Sequence, residues 1–286
     1  MSKRIIVTGG SGFVGSHLVK RLRNQGYQVF NYDLVEKHDI LDETHMSKVF
    51  NEFQPDEVYH LGGSVHMSPA EDDPETDFKL NYLGTLNVLK MCVRHGCRML
   101  FTGTGATYGL SGSPQREEDM PRPVSNYGVS KRAAELLIQK YVECHDIHAT
   151  ITRYSSVYGP GRNAGPVNLM LKNALEKGWI RVDGPGHHTR DLIDIRDALD
   201  GTVLVMEKGM AGQIYNVGSG VETAIVEVAW IIHELTDAEI RHIPYKYGKF
   251  DLPRSRYDIS KASQLGFVSR ISLREGIKKL MKQGGV

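Results

Sequence analysis

Cysteine is scarce. Cys92, Cys97 and Cys144 are the only three in 286 residues, and their spacing matches no metal-ligand pattern, so a metal site is not expected. An odd count also argues against a closed disulfide framework, and reduced thiols buried for structural reasons are expected. Excess charge is missing too. Thirty-five basic residues face 34 acidic ones, for a net charge of +1, which leaves no field to attract nucleic acid or an anionic membrane. Any anion must therefore be held by local geometry. No apolar run approaches the ~18 residues that would suggest a membrane span. Met1-Ser-Lys-Arg4 leads directly into a strand-like run with no room for a signal peptide. A cytoplasmic protein without nucleic-acid or membrane partners is expected. Repeats, linkers and low-complexity tracts are absent as well. What is present is 40% hydrophobic content, enough for a full core in one large domain or one domain with a smaller companion.

The N-terminal pattern is strand, glycine turn, helix. Arg4 to Thr8 is short, apolar and β-branched, and Phe13 to Leu22 carries apolar residues at helical spacing. Between and within them, Gly9, Gly12 and Gly15 form a G-x-x-G-x-x-G series. The first glycine permits a tight turn, the second lets a diphosphate approach backbone N–H groups, and the third lets helix and strand pack closely. Gln28 to Asp33 reads as the second strand. Asp33 ends it ~20 residues beyond the glycines, where a carboxylate bonds the ribose hydroxyls of NAD and repels the 2′-phosphate of NADP. Capping a turn is the competing role for Asp33. A helix over 44–53, a strand over 57–61, a loop over 68–74, a long helix over 77–95 and a strand over 98–102 follow. Thr104 then lies at the carboxyl end of a strand, where doubly wound sheets place their chemistry. Satisfying nearby backbone is its alternative role.

Tyr127 and Lys131 open a helical run that continues to about Cys144. Positions i and i+4 share a helix face, so the ammonium can sit near the phenol and favour the phenolate of a group whose ordinary pKa is about 10. Such a tyrosine can exchange protons near neutral pH. The plain alternative is a half-exposed tyrosine lying along a lysine stem.

Taken together, several segments identify a resemblance: Thr8 to His17, Asp33, Asp39-Ile40, His60-Leu61, Asn81 to Leu89, Tyr127 to Lys131 with Glu135, Arg153 to Pro160, Arg190-Asp191 and Tyr215 to Gly220. Nearly end to end, the chain resembles extended short-chain dehydrogenase/reductases, specifically the NAD-dependent epimerase/dehydratase family acting on nucleotide sugars. That resemblance implies an α/β fold, a Rossmann-type doubly wound parallel sheet with a smaller C-terminal substrate-binding lobe. It implies that Asp39 and Ile40 hold the adenine, that Leu61, Gly62 and Gly63 pass under the cofactor, and that Lys131 bonds the nicotinamide ribose. Tyr127 is implied as acid/base and Thr104 as its hydroxyl partner. Phe13, Val14, Leu34, Asn81, Thr102, Tyr154, Ser155 and Val157 are further implied cofactor contacts. Ala106, Ser156, Asn168, Leu169 and Arg190 are implied on the substrate side, with Arg190 toward a diphosphate or, alternatively, bridged to Asp191 or Asp194.

Sugar-nucleotide 4,6-dehydratases that resemble this chain carry Asp-Glu directly after the active-site threonine. Gly105-Ala106 stands there instead and cannot move protons, which favours epimerisation. Two positions depart from many nucleotide-sugar epimerases. Ser156 replaces an asparagine, and Gly248 to Asp251 replaces an Arg-Pro-Gly-Asp-like segment, with Lys246, Lys249, Arg254 or Arg256 as candidate substitutes. His187-His188 is expected to be a solvated loop pair. The expected division is an NAD-binding domain over 1–160 with about 188–218 returning to it, and a substrate lobe over 161–187 and 219–286. Helices at 167–177, 223–235 and 272–281 belong to that lobe, and a homodimer through the Asn81 and Tyr127 helices is implied.

Overall fold

The computed structural model describes residues 2–64, 67–110, 112–245 and 253–283. In chain order the first part contains β1 (Arg4–Thr8), α1 (Phe13–Asn24), β2 (Gln28–Tyr32), α2 (Glu43–Phe53), β3 (Glu57–His60), α3 (Met67–Asp72), α4 (Pro74–Phe78), a π-turn (Lys79–Leu83), α5 (Gly84–His95), β4 (Arg98–Thr104), α6 (Asn126–His145) and β5 (Ala149–Tyr154). The remainder contains β6 (Ser156–Tyr158), α7 (Pro166–Lys177), β7 (Trp179–Asp183), β8 (Thr189–Asp194), α8 (Ile195–Lys208), β9 (Ile214–Val217), β10 (Glu222–Ala224), α9 (Ile225–Thr236), β11 (Glu239–Ile243), α10 (Ser260–Gln264) and α11 (Leu273–Lys282).

The main sheet runs β2-β1-β3-β4-β5-β9, with β1 parallel to β2 and β3, and β3 parallel to β4. Strand order reverses at β1, so β1 and β3 flank the switch point at which a doubly wound sheet opens a crevice. β1, β3 and β4 are buried along nearly their whole length, as strands covered on both faces are.

Two compact units emerge, comprising residues 1–111, 119–153 and 202–215, and residues 112–118, 154–201 and 216–286. Packing thus places 112–118, 154–160, 188–201 and 216–218 in the second unit, although the sequence division grouped them with the first. Each unit has its own core. Ile6, Val58, Leu89, Phe101, Ile138 and Ile151 belong to the first, and Val167, Leu171, Ile180, Val228, Ile232 and Ile277 to the second. The second unit also holds a three-stranded sheet, β10-β8-β6, and the parallel pair β7 and β11.

Three expectations change. Residues 67–72 form the short helix α3 rather than a loop. The helix expected over 77–95 begins at Pro74, whose missing N–H costs nothing in a first turn, and is interrupted by the π-turn. The turn carries Asn81 inward, where its side chain finds three polar partners, Asp77 nearby and Ser64 and Ser130 from elsewhere in the chain. Cys92 and Cys97 are buried, but Cys144 is exposed, because it lies in the solvent-facing last turn of α6.

Candidate active site

Gly9 adopts φ +68° directly after β1, and a Cβ there would stand 2.7 Å from the Gly62 nitrogen beyond β3. Two sheet ends meet at this point, so only glycine fits. A Cβ on Gly15 would approach the Gly9 carbonyl oxygen to 2.1 Å, which is the close packing expected of the third glycine. Gly12 is the N-cap of α1 and offers no side chain to the first turn, which contains Phe13, Val14 and no acid. An anion is the complement such a terminus favours.

Asp33 performs two tasks. One carboxylate oxygen accepts from the Val35 N–H at 3.0 Å, realising the turn-capping role. The other accepts from the Ser11 N–H at 2.9 Å, gripping the glycine turn. Each oxygen retains a further lone pair that can meet a ribose hydroxyl. Asn31, which sequence reasoning overlooked, donates a side-chain N–H to the Ser11 hydroxyl oxygen at 3.0 Å. Leu34 is exposed beside Asp33, whereas Ile40 is buried against Gly84. Asp39 turns one oxygen to the Leu41 N–H at 2.8 Å, and its carbonyl accepts from the Tyr32 hydroxyl.

At the end of β3, His60 lies in a buried chain of hydrogen bonds with a single direction. The Gly62 N–H donates to Thr8 Oγ1 (3.0 Å), and Thr8 Oγ1 meets His60 Nδ1 (2.7 Å). His60 Nε2 meets Thr85 Oγ1 (3.0 Å), which donates to the Asn81 carbonyl (2.6 Å). An amide N–H at one end and a carbonyl at the other dictate the order of protons, so His60 carries its hydrogen on Nε2. It is neutral, because burial pushes its pKa down to about 3, with nearby Lys131 acting in the same direction. This chain ties the Leu61-Gly62-Gly63 segment to the π-turn. Asn81 completes the tie by accepting from the Ser64 N–H at 3.0 Å and donating to Ser130 Oγ at 2.9 Å. Gly63 has φ +146°, and a Cβ there would lie 2.5 Å from Asn81 Oδ1 and 3.5 Å from Lys131 Nζ.

The helix carrying Tyr127 is pinned at its start. Ser125 caps it through the Gly128 N–H (3.1 Å). Glu71 of α3 accepts from the Asn126 backbone (2.6 Å) and side-chain amide (3.2 Å). Tyr127 is half-buried. Lys131 is 3% exposed, with Nζ 3.5 Å from the Thr102 carbonyl and 4.8 Å from the Phe101 ring centre. Burial pushes its pKa down to about 8, opposed by Asp77 and Glu135. Lys131 is thus buried while Tyr127 remains partly open, and the ammonium lies in the protein interior, where it is poorly hydrated.

Thr104 accepts from the Ala106 N–H at 3.2 Å. The backbone-satisfying role therefore exists, yet it uses only the hydroxyl's acceptor side and leaves the proton for another oxygen. A Cβ on Gly128 would come within 2.6 Å of the Ala106 carbonyl oxygen, so the first turn of the tyrosine helix rests on the turn after Thr104. Beneath lies a fully buried ion pair, Glu135 with Arg153, at 2.8 and 2.7 Å. The guanidinium also stacks 4.5 Å over the Tyr108 ring.

In the second unit, Tyr154, Ser155, Ser156 and Val157 lie at or near β6. The Tyr154 carbonyl accepts from the Tyr257 hydroxyl (3.1 Å), and the Ser155 N–H donates to the Val217 carbonyl (3.1 Å). A cavity of about 500 Å³ is lined by Leu169, Asn173, Arg181, His188, Arg190 and Tyr245 among others, a volume suited to a small ligand. His188 is thus part of a pocket wall rather than a solvated loop residue, because β8 begins beside it; His187 is exposed. Asn168 is buried and spends its amide on Gly159, donating to the carbonyl at 2.9 Å, so it braces the loop instead of lining the cavity.

Neither Asp191 nor Asp194 bridges Arg190. Asp191 accepts from Ser219, Gly220 and Tyr257, Asp194 pairs with Arg196, and Arg190 donates to the Thr189 carbonyl. Arg254 is engaged bidentately by Glu222, whose pKa this contact draws down to about 2. Lys246, Lys249 and Gly248 to Asp251 lie outside the described residues. Among the described residues no cluster of metal-binding side chains is present, and no helix is long and apolar enough to cross a membrane.

A glycine turn at the switch point of a doubly wound sheet, an acid at the end of β2 and a tyrosine with a buried lysine on the adjoining helix define a dinucleotide-binding protein of the short-chain dehydrogenase/reductase type. The chain belongs to the NAD dependent epimerase/dehydratase family, whose profile it matches over residues 5–218. It is 30% identical to the UDP-N-acetyl-alpha-D-glucosaminuronate decarboxylase of Bacillus cytotoxicus, over 99% of this chain and 98% of that one. The UDP-glucose 4-epimerase of Thermotoga maritima, solved with UDP-glucose, has a TM-score of 0.91 at 30% identity, covering 98% of this chain and 97% of that one. That of Thermus thermophilus, solved with NAD, has a TM-score of 0.89 at 28% identity, covering 99% and 100%. The cofactor is NAD, and the glycine turn, Asp33 and Lys131 are residues that fit it.

Proposed function

We propose that the protein is an NAD-dependent epimerase of a nucleotide-diphosphate sugar, acting through a transient keto-sugar. The observation that carries this reading is the buried Lys131 beside a half-buried Tyr127, with Gly105-Ala106 rather than acids following Thr104. NAD would be held by the glycine turn, Asp33 and Lys131, and would supply an acceptor for a hydride from the sugar carbon and a donor that returns it to the opposite face of the ketone. Tyr127 removes the hydroxyl proton in that step and returns it afterwards, with the Lys131 ammonium stabilising the phenolate. Each pKa unit lowered represents about 1.4 kcal/mol of differential stabilisation. Thr104 donates its free proton to the sugar oxygen and holds it toward Tyr127. In the second unit, Arg190 and His188 present donors suited to a diphosphate, and Leu169 supplies apolar wall for the nucleoside. The NAD-binding role falls mainly to the first unit and the substrate-binding role to the second.

Purified protein incubated with UDP-, dTDP- and GDP-sugars without added cofactor, followed by NMR of the products, tests this. An inverted hydroxyl with no net NADH is expected. Stoichiometric NADH, loss of water or release of carbon dioxide would instead assign a dehydrogenase, dehydratase or decarboxylase, the last being the activity named for the Bacillus relative.

We also propose a homodimer through α5 and α6. Phe78, Leu83, Val129 and Leu136 are exposed apolar residues on or next to these helices, and Val129 and Leu136 share a face two turns apart. Sedimentation at micromolar concentration should show a dimer; monomer alone would remove the proposal.

A further inference from the structure

Asp77 is a carboxylate only 3% exposed, in the last turn of α4 and two residues before the π-turn. One of its oxygens accepts from the Ser130 hydroxyl and the other from the Asn81 amide at 3.2 Å. Ser130 has a single proton. It also approaches the Tyr127 carbonyl at 3.1 Å, but an ionised acceptor makes the stronger bond, so the proton is directed to Asp77. Asn81 in turn donates to Ser130 Oγ, closing a three-residue ring of hydrogen bonds. Ser130 precedes Lys131 in α6. Among the described residues, Asp77 has no guanidinium or ammonium within salt-bridge distance.

The charges facing Lys131 come from four elements. On α6, Glu135 is shared between Arg153 and Arg132, and Tyr127 lies one turn earlier. From β3, His60 is neutral. From β4 come the Thr102 carbonyl and the Phe101 ring. From α4 comes Asp77, bonded to Ser130, the residue before Lys131. Two guanidiniums already neutralise Glu135, whereas Asp77 meets only uncharged donors.

We propose that Asp77 is a positioning residue for the Tyr127 and Lys131 pair: its carboxylate, held by Ser130 and Asn81, is the counter-charge that keeps the buried Lys131 protonated. This rests on the catalytic reading of the pair given above. Among the influences opposing the burial of Lys131, Asp77 ranks ahead of Glu135. Without it, burial is opposed by Glu135 alone and the lysine loses protons at lower pH. Neutral Lys131 no longer favours the Tyr127 phenolate, so the basic limb of the turnover profile moves to lower pH with it.

The test is an NMR titration of the full chain carrying ¹³Cε-labelled lysine, in which the Lys131 signal is assigned by its absence from Lys131→Arg. The wild type should show one lysine titrating near 8. In Asp77→Asn its midpoint should fall by at least ~1 pH unit, a tenfold loss of proton affinity. Ser130→Ala, which keeps the charge, should leave the midpoint close to that of the wild type. If Asp77→Asn does not fold, Asp77→Ser removes the charge while keeping a hydroxyl for Ser130 and Asn81, and carries the same expectation. An unmoved midpoint in the Asp77 variant overturns the proposal. So does an equal fall in Ser130→Ala, which would make the effect one of packing. The titration uses no substrate, so a failure of the epimerase reading registers separately, in the sugar-nucleotide assay.

Discussion

Tyr127→Phe should bind NAD as the wild type does and turn over at least ~100-fold more slowly, the scale on which a positioned acid/base contributes. The substitution removes one hydroxyl and keeps the ring, so the packing of the helix start is retained. Ser125, Glu71 and Gly128 hold that start independently of the phenol. Calorimetric titration with NAD and NMR of products from the active sugar nucleotide separate the two effects. Retention of most turnover would reject the acid/base role and move attention to Thr104, whose hydroxyl would then be the remaining proton donor after β4.

The second large effect concerns stability. Arg153→Met should destabilise the protein by about 3–5 kcal/mol, the usual cost of removing one partner from a buried ion pair. Both side chains are 0% exposed, and Glu135 would keep only Arg132, itself partly open to solvent. The loss should appear as an earlier urea-unfolding midpoint. Replacing both partners, Arg153→Met with Glu135→Leu, should recover much of it, because no uncompensated charge stays buried. A double variant no better than the single one would show that packing of Arg153 on Tyr108 matters more than its charge.

These two predictions differ in how far the residues behind them could be read from the chain. Tyr127 and Lys131 are one helical turn apart, and their meeting follows from helix geometry alone. Glu135 and Arg153 are 18 residues apart on α6 and β5. Both stand inside recognisable segments, but nothing in either segment says that they pair. Glu71 reaches Asn126 across 55 positions, and Asp77 reaches Ser130 across 53; no period or spacing carries such information. Asn168 shows the converse. Its motif pointed to the substrate, yet its amide is consumed by Gly159, because α7 turns that face toward the loop rather than the cavity. His188 looked like loop and became pocket wall once β8 had its place in the small sheet. The π-turn escaped notice because apolar spacing through 77–95 continues across it, and only the polar partners of Asn81 make the extra residue worthwhile.

By itself, the sequence determined the strand–turn–helix opening, the glycines of the turn after β1, the acid closing β2 and the tyrosine–lysine turn, because each is written within a few consecutive residues. Tertiary structure alone decided the charge state of the site. Burial sets Lys131 and His60 apart from their ordinary ionisation, and the groups that oppose or share that burial, Asp77 and Glu135 above all, arrive from other helices and strands.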